Sequence, residues 1–237
     1  MTNRQSAFRG KRAFVLGGSG GLGAAVSAGL ARRGATLSIH GGSSQARLDA
    51  TLAALRAGGA VADGFLSSIE KAEDTPAVLG AARKADILVL AYGPFYQAPI
   101  HETRMEDWAR LSFLNLALPG ALISAALPWM REQGWGRILL FGGTRTDQAR
   151  AFSTNAAYAA CKTGLTTLTK SLAATYAREG IASLLVCSGY MDTEYLKPEY
   201  RARYGALAPR SRLSPPDSFG ERLADLLDRW VEALAMP

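Results

Sequence analysis

Hydrophobic residues in this chain fall into short solid blocks, and the segments between them carry apolar residues at helical spacing. Arg12-Ala-Phe-Val-Leu16 predicts a buried strand that runs into a glycine-rich stretch, 17–23, and then an alanine-rich helix ending near Arg33-Gly34. Residues 36–40 predict a second strand. A helix follows over 43–57, with Ser43 or Ser44 available as its cap and Gly58-Gly59 closing it. A weaker strand at 61–66, a short helix after Pro76 and a strand at 87–91 come next. A long helical stretch over 105–130 is expected to break at Pro119 and Pro128. A strand at 138–141, a helix at 154–178, a strand at 183–187 and an amphipathic helix at 217–235 complete the pattern. Strands separated by helices pair in parallel through right-handed crossovers, so the pattern predicts an α/β, three-layer αβα, doubly wound, mostly parallel sheet. It has six strands, or a seventh element covers its edge. No repeat or linker divides residues 1–237, which read as one domain. The stretch 189–216, rich in Tyr, Arg and Pro, reads as a substrate lid or an ordinary connection.

A strand, a glycine loop and a helix in that order suit a pyrophosphate, because glycines allow close backbone approach and the helix N-terminus offers free N–H groups. The run fits two spacings, Gly18-x-Gly20-x-x-Gly23 and Gly17-x-x-x-Gly21-x-Gly23, and alone cannot choose between them. A second constellation lies far downstream. Tyr158-Ala-Ala-Cys-Lys162 places a phenol and an ammonium on successive turns of one helix face. A nearby cation favours phenolate and is expected to lower the Tyr158 pKa, making it a general acid or base.

Composition changes the picture little. The chain has 237 residues, 48% of them hydrophobic, enough for a sizeable core. Its net charge of +7 comes from 27 basic residues spread without a dense run, which argues against nucleic acid as the partner. No apolar stretch approaches the roughly 18 residues of a membrane span, and 1–12 is polar, so no membrane partner and a cytoplasmic location are expected. Cys161 and Cys187 read as buried thiols. With two His and two Cys outside ligand spacing, no metal site is expected.

Taken with their order and distances, these segments resemble the short-chain dehydrogenase/reductase family over about residues 10–195. The family pattern begins Thr-Gly-x-x-x-Gly-x-Gly, with Leu16 here in place of Thr, and includes Tyr-x-x-x-Lys. Asp86-Ile-Leu-Val-Leu-Ala-Tyr-Gly93 resembles the family's Asp-hydrophobic-Leu-Val-Asn-Asn-Ala-Gly segment with both Asn replaced. Asn115 sits where the catalytic Asn is expected, Gly136 to Gly143 matches the strand that normally ends in Ser-Ser, and Ser188-Gly-Tyr-Met-Asp-Thr193 matches Pro-Gly-x-x-x-Thr.

The resemblance implies a Rossmann-like fold and hydride transfer between a nicotinamide and a carbonyl or secondary alcohol, in a homo-oligomer. Tyr158 would exchange the proton, Lys162 would tune it and bind the nicotinamide ribose, and Asn115 would hold a water leading to solvent. The usual serine hydroxyl is missing; Thr144 is chosen over Thr146 or Ser153 to replace it, and Arg145 and Arg150 are either anion contacts or solvated loop arginines. Implied cofactor contacts are Gly17, Ser19, Gly20, Gly21, Leu22 and Gly23; Ser43 and Ser44; Ala91, Tyr92 and Gly93; Tyr158 and Lys162; and Gly189, Met191 and Thr193. His40-Gly-Gly-Ser-Ser44 lacks the acid that would repel a 2′-phosphate, which favours NADP(H) over NAD(H). Phe95, Tyr96, Phe152, Tyr190 and Tyr195 suggest a bulky or aromatic carbonyl substrate. The lost Asn-Asn and Ser-Ser pairs keep a second hypothesis open, a dinucleotide-binding relative without turnover that acts as a sensor or partner subunit.

Overall fold

The computed structural model describes residues 7–194, 196, 198–207 and 213–234. Six strands form one sheet: β1 (Arg12–Leu16), β2 (Thr36–Gly41), β3 (Ala62–Leu66), β4 (Ile87–Leu90), β5 (Gly136–Phe141) and β6 (Ile181–Val186). Their spatial order is β3-β2-β1-β4-β5-β6, and every adjacent pair is parallel. The chain therefore reverses its direction of winding between β1 and β4, and all strand C-termini lie along one edge. That crevice is where ligands bind in open α/β sheets.

Alternation along the strands builds two cores. Val15, Val89, Leu139 and Phe141 face one side with residues of α1 (Gly21–Ala31), α2 (Gln45–Ala57) and α8 (Pro216–Leu234). Phe14, Leu16, Leu88, Leu90, Ile138 and Leu140 face the other, where α3 (Pro76–Ala82), α5 (Leu118–Glu132) and α6 (Ala156–Tyr176) lie. Both faces are covered, which is why the central strands read as continuous apolar runs rather than alternating ones.

The long helical stretch breaks in a different place from the one expected. Pro119 lies at the start of α5 and Pro128 lies inside it, while the break is a π turn, Phe113–Ala117, between α4 (Met105–Ser112) and α5. The Leu118 N–H donates to the Phe113 carbonyl, the i to i+5 bond of a π turn. The combined run Met105–Glu132 is also long and apolar enough by composition to cross a bilayer, contrary to the reading of the sequence. Its apolar side is spent on the second core through Leu114, Leu118, Leu122, Ile123 and Met130.

β3 and β6 are the two edge strands, and α8 packs along α1 instead of contributing a seventh strand beside β6. The two helices approach so closely that a Cβ on Gly220 would overlap the Ala25 carbonyl. Arg33 reaches across from beyond α1 to Glu221 at 2.9 Å and Asp225 at 2.5 Å. From the sheet, buried Arg137 donates to the Leu227 carbonyl of α8 at 3.1 Å and stacks its guanidinium on Trp135. The 189–216 segment holds an element absent from the sequence reading, α7 (Pro198–Leu207). Met191 and Ser214 close it at its base through a bridge between their backbones.

The helix contact makes a paired prediction. Gly220→Ala should destabilise the protein by about 1–3 kcal/mol through overpacking. Gly80→Ala, in α3 where an added Cβ meets nothing, should stabilise it by up to about 1 kcal/mol. Urea unfolding of both variants checks this, and a Gly220→Ala protein as stable as the parent would contradict the close α1–α8 contact.

Candidate active site

The glycine loop leaves β1 and enters α1, and its geometry decides between the two spacings. Gly17 and Gly21 have φ of 74° and 51°, and a Cβ on Gly23 would overlap the Gly17 carbonyl. The positions constrained by backbone conformation or by a backbone clash are thus 17, 21 and 23, while a Cβ on Gly18 would press on the Val15 and Ile39 side chains and Gly20 is extended. His40, at the end of β2, holds the loop in place. Its Nδ1 accepts the Gly17 N–H at 3.2 Å, its carbonyl accepts the Gly18 N–H at 2.9 Å, and its Nε2 lies 2.8 Å from the Ser67 carbonyl. These partners fix the tautomer with the proton on Nε2. Burial lowers the His40 pKa, so the ring stays neutral and can accept. His40 belongs to the scaffold of the loop; its signal in the sequence was a polar residue closing an apolar strand.

The first turn of α1 has no acidic residue and Gly20 gives it no side-chain cap. Instead, the Glu194 carboxylate accepts the Gly21 N–H at 2.8 Å from the far side of the cleft. A carboxylate at this helix N-terminus is a stand-in for a phosphate, and the donor set fits a pyrophosphate by the same chemistry. Sequence reading missed Glu194, for which no local pattern existed.

The remaining cofactor candidates divide. Ser19 adjoins Gly41, and Ser44 caps α2 by accepting the Arg47 N–H at 3.4 Å, while Ser43 is exposed on the same rim. No acid occupies the first turn of α2. Leu22 and Ala91 pack against the first core, and Tyr92 packs in the second, its hydroxyl donating to the Ile69 carbonyl at 3.2 Å. These three side chains support the loops. Gly189 and Thr193 border the cleft, with Met191 buried in its wall.

At the other end of the cleft, Tyr158 and Lys162 lie on one face of α6, as their spacing requires. Lys162 is 5% exposed, and its Nζ donates to the Phe141 carbonyl at the end of β5 at 3.0 Å. That nitrogen is 5.9 Å from the centre of the Tyr158 ring, against which Phe95 packs edge-on. Asn115 is fully buried within the π turn; its Nδ2 donates to the Pro94 carbonyl at 3.2 Å, and its Oδ1 has no protein partner among the described residues. Gly93 explains the convergence, since a Cβ there would overlap Asn115 Oδ1 and come within 3.4 Å of Lys162 Nζ. An orphaned buried acceptor beside an ammonium is a polar site suited to a bound water or a ligand hydroxyl.

The electrostatics correct one expectation. Lys162 does not lower the Tyr158 pKa here. Burial pushes the phenol up to about 12 and the ammonium down to about 8, because desolvation penalises the charged form of each. Cys161, a free thiol between them, is raised by the same burial. Cys187 is a free thiol too, half-buried at the end of β6.

A cavity of about 750 Å³ opens beside Tyr158. Gly143, just beyond β5, has no room for a side chain: a Cβ there would meet the Tyr158 ring at 2.9 Å. Thr146 is turned inward: its Oγ1 accepts the Gly143 N–H at 2.8 Å and lies 3.0 Å from the Gly143 carbonyl. Thr144, by contrast, lines the cavity, as do Ser153, Phe95, Phe152 and Tyr190. Tyr96 points away, donating to Asp107 at 3.0 Å, and Tyr195 lies outside the described residues. Tyr204 of α7, which sequence reading missed, stacks on Tyr190 at 4.9 Å and closes the cavity.

Comparison with known proteins places this arrangement. Residues 11–203 match the family model described as short chain dehydrogenase. The chain is 32% identical to the cis-4-hydroxycyclohexanecarboxylate dehydrogenase of Sinomonas cyclohexanicum, covering 93% of this chain and 90% of that protein. It is 29% identical to a D-beta-hydroxybutyrate dehydrogenase of Cupriavidus necator, covering 80% and 73% of the two chains. Among solved structures, a 3-oxoacyl (acyl-carrier-protein) reductase from Agrobacterium tumefaciens C58 with NADP bound superposes with a TM-score of 0.85 at 26% identity, covering 96% of this chain and 91% of that one. The chain belongs to the short-chain dehydrogenase family of oxidoreductases.

Proposed function

We propose that the protein is an NADP(H)-dependent oxidoreductase that interconverts a carbonyl compound and its secondary alcohol, with residues 1–237 acting as one catalytic unit. The observation that carries this reading is the meeting of Tyr158, Lys162 and the unpartnered Asn115 Oδ1 at the end of a cleft whose other end is the Gly17–Gly23 loop. The dinucleotide, when bound, supplies or accepts the hydride at the reacting carbon.

Tyr158 handles the accompanying proton. In reduction its hydroxyl protonates the oxygen that gains charge as the carbonyl opens, and in oxidation its phenolate takes the alcohol proton back. A phenol held near 12 is well suited to keep its proton until an alkoxide forms. Thr144, in the cavity wall, donates to the same oxygen in place of the missing serine. Lys162 anchors the ribose side of the nicotinamide, and Asn115 Oδ1 holds a water through which Tyr158 regains its proton. Gly17, Ser19, Gly20, Gly21 and Gly23 take the pyrophosphate, displacing Glu194; Gly93, Gly189 and Thr193 border the nicotinamide. Ser43 and Ser44 take the 2′-phosphate, a reading supported by the acid-free rim after β2. A cytoplasmic, homo-oligomeric enzyme acting on a small molecule suits this chemistry.

Two measurements test it. Tyr158→Phe should leave NADPH affinity nearly intact and lower turnover at least about a hundredfold; parent-like turnover would end the mechanism, and a parent protein that binds NADPH but turns over no carbonyl substrate would favour the sensor reading. Fluorescence titration should give tighter binding of NADPH than NADH, with Ser43→Asp narrowing or reversing the order. Tighter NADH binding by the parent would sink the cofactor assignment.

A further inference from the structure

The cavity beside Tyr158 is walled by glycines, hydroxyls, amides and apolar rings, with no Asp or Glu among its described lining residues. One side chain in that wall carries a charge: Arg145. It is also the one non-glycine residue with positive φ among those described, at 62°. The turn that holds it there is built by its neighbour. Thr146 is buried, its hydroxyl lies within hydrogen-bond distance of both the N–H and the carbonyl of Gly143, and its own carbonyl accepts the Thr166 hydroxyl at 3.1 Å. A residue kept in a sparsely populated backbone region by such over-determined surroundings is characteristic of ligand-contacting loops.

The guanidinium has no hydrogen-bond or ion-pair partner among the described residues. Asp147, the nearest acid in sequence, lies 4.0 Å from Arg150 instead. Position limits what Arg145 can reach. A Cβ at Gly143 would lie 3.4 Å from the Tyr158 hydroxyl, and two residues of chain span at most about 7 Å. Arg145, itself exposed, thus lies two residues along the chain from the wall beside the Tyr158 hydroxyl and lines the same cavity. Phe152, Tyr190, Leu196 and Tyr204 offer an apolar surface in the same cavity.

We propose that Arg145 is the specificity-determining residue of this cavity, binding the carboxylate of a hydroxy acid or keto acid whose apolar body lies against those rings. This rests on the oxidoreductase reading above. A guanidinium recognises a carboxylate through two parallel N–H donors, a pairing a neutral ligand cannot reproduce. Two of the relatives described above are named for hydroxy acids, which agrees with this choice.

Calorimetric titration of the protein with saturating NADP⁺ tests the assignment with two probes of equal shape, cyclohexanecarboxylate and cyclohexanecarboxamide. The carboxylate should bind at least about tenfold more tightly. Arg145→Gln should remove the difference, and so should Arg145→Gly, which keeps the turn because glycine tolerates its φ. Equal affinities in the parent, binding of neither probe, or a preference that survives both variants overturns the proposal. A kinetic arm uses NADPH with 4-oxocyclohexanecarboxylate and its carboxamide, where the variants should raise KM for the acid roughly ten- to a hundredfold and leave the amide unchanged. An Arg145-dependent binding preference without turnover of either ketone leaves the carboxylate assignment standing and removes the oxidoreductase reading. Reduction of both ketones with the same KM in parent and variants leaves that reading standing and removes the role of Arg145.

Discussion

The site depends on one close packing contact, the backbone of Gly93 against the Asn115 carboxamide and the Lys162 ammonium. Three elements meet there: the loop after β4, the π turn between α4 and α5, and α6. Any Cβ at position 93 would push them apart. The π turn matters because its additional residue per turn sets Asn115 in the interior, where a buried amide has one bond made and one acceptor left over. An unsatisfied acceptor of this kind is costly, on the order of 1–3 kcal/mol, and π turns that carry such strain concentrate at functional sites.

The same end of the sheet is organised a second time around His40. A neutral imidazole, kept so by burial, ties Gly17 to the strand beside it and to Ser67 beyond. The loop is thereby shaped before any ligand arrives, and Glu194 occupies the helix N-terminus with a carboxylate of its own. Parallel strands make these arrangements possible together, because each strand delivers its C-terminal loop to one edge. The opposite end of the sheet is closed by different means: Asp86 accepts from the Arg12 N–H and from the Trp129 indole, both at the N-terminal side of the strands.

Much of this was legible in the sequence because the features are local. Strand β1 follows from five consecutive residues, the pairing of Tyr158 with Lys162 on one helix face follows from four-residue spacing, and the capping of α2 by Ser44 follows from its position. What was not legible depends on distance along the chain. The His40–Gly17 bond spans 23 residues, and the Glu194–Gly21 bond spans 173. The π turn at Phe113–Ala117 has no signal in residue spacing, because proline marks only a missing donor: Pro119 lies just past the turn, and the helical run Met105–Glu132 continues through it. The displaced pKa values escaped for a related reason. Spacing places an ammonium near a phenol, but only the fold reveals that both are dry.

The central claim is that Tyr158 is a phenol raised by burial in the free protein and made active by what binds beside it. Carbon-13 NMR of ring-labelled tyrosine, with the Tyr158 signal assigned through its loss in Tyr158→Phe, measures this directly. In the free protein the signal should stay that of the neutral phenol through about pH 11, in keeping with a pKa raised to about 12. Saturation with NADP⁺, whose nicotinamide is cationic, should move the titration downward by more than about one unit, since a neighbouring positive charge favours phenolate. Titration at or below about 10, the ordinary tyrosine value, in the free protein, or no movement on saturation, would contradict the account.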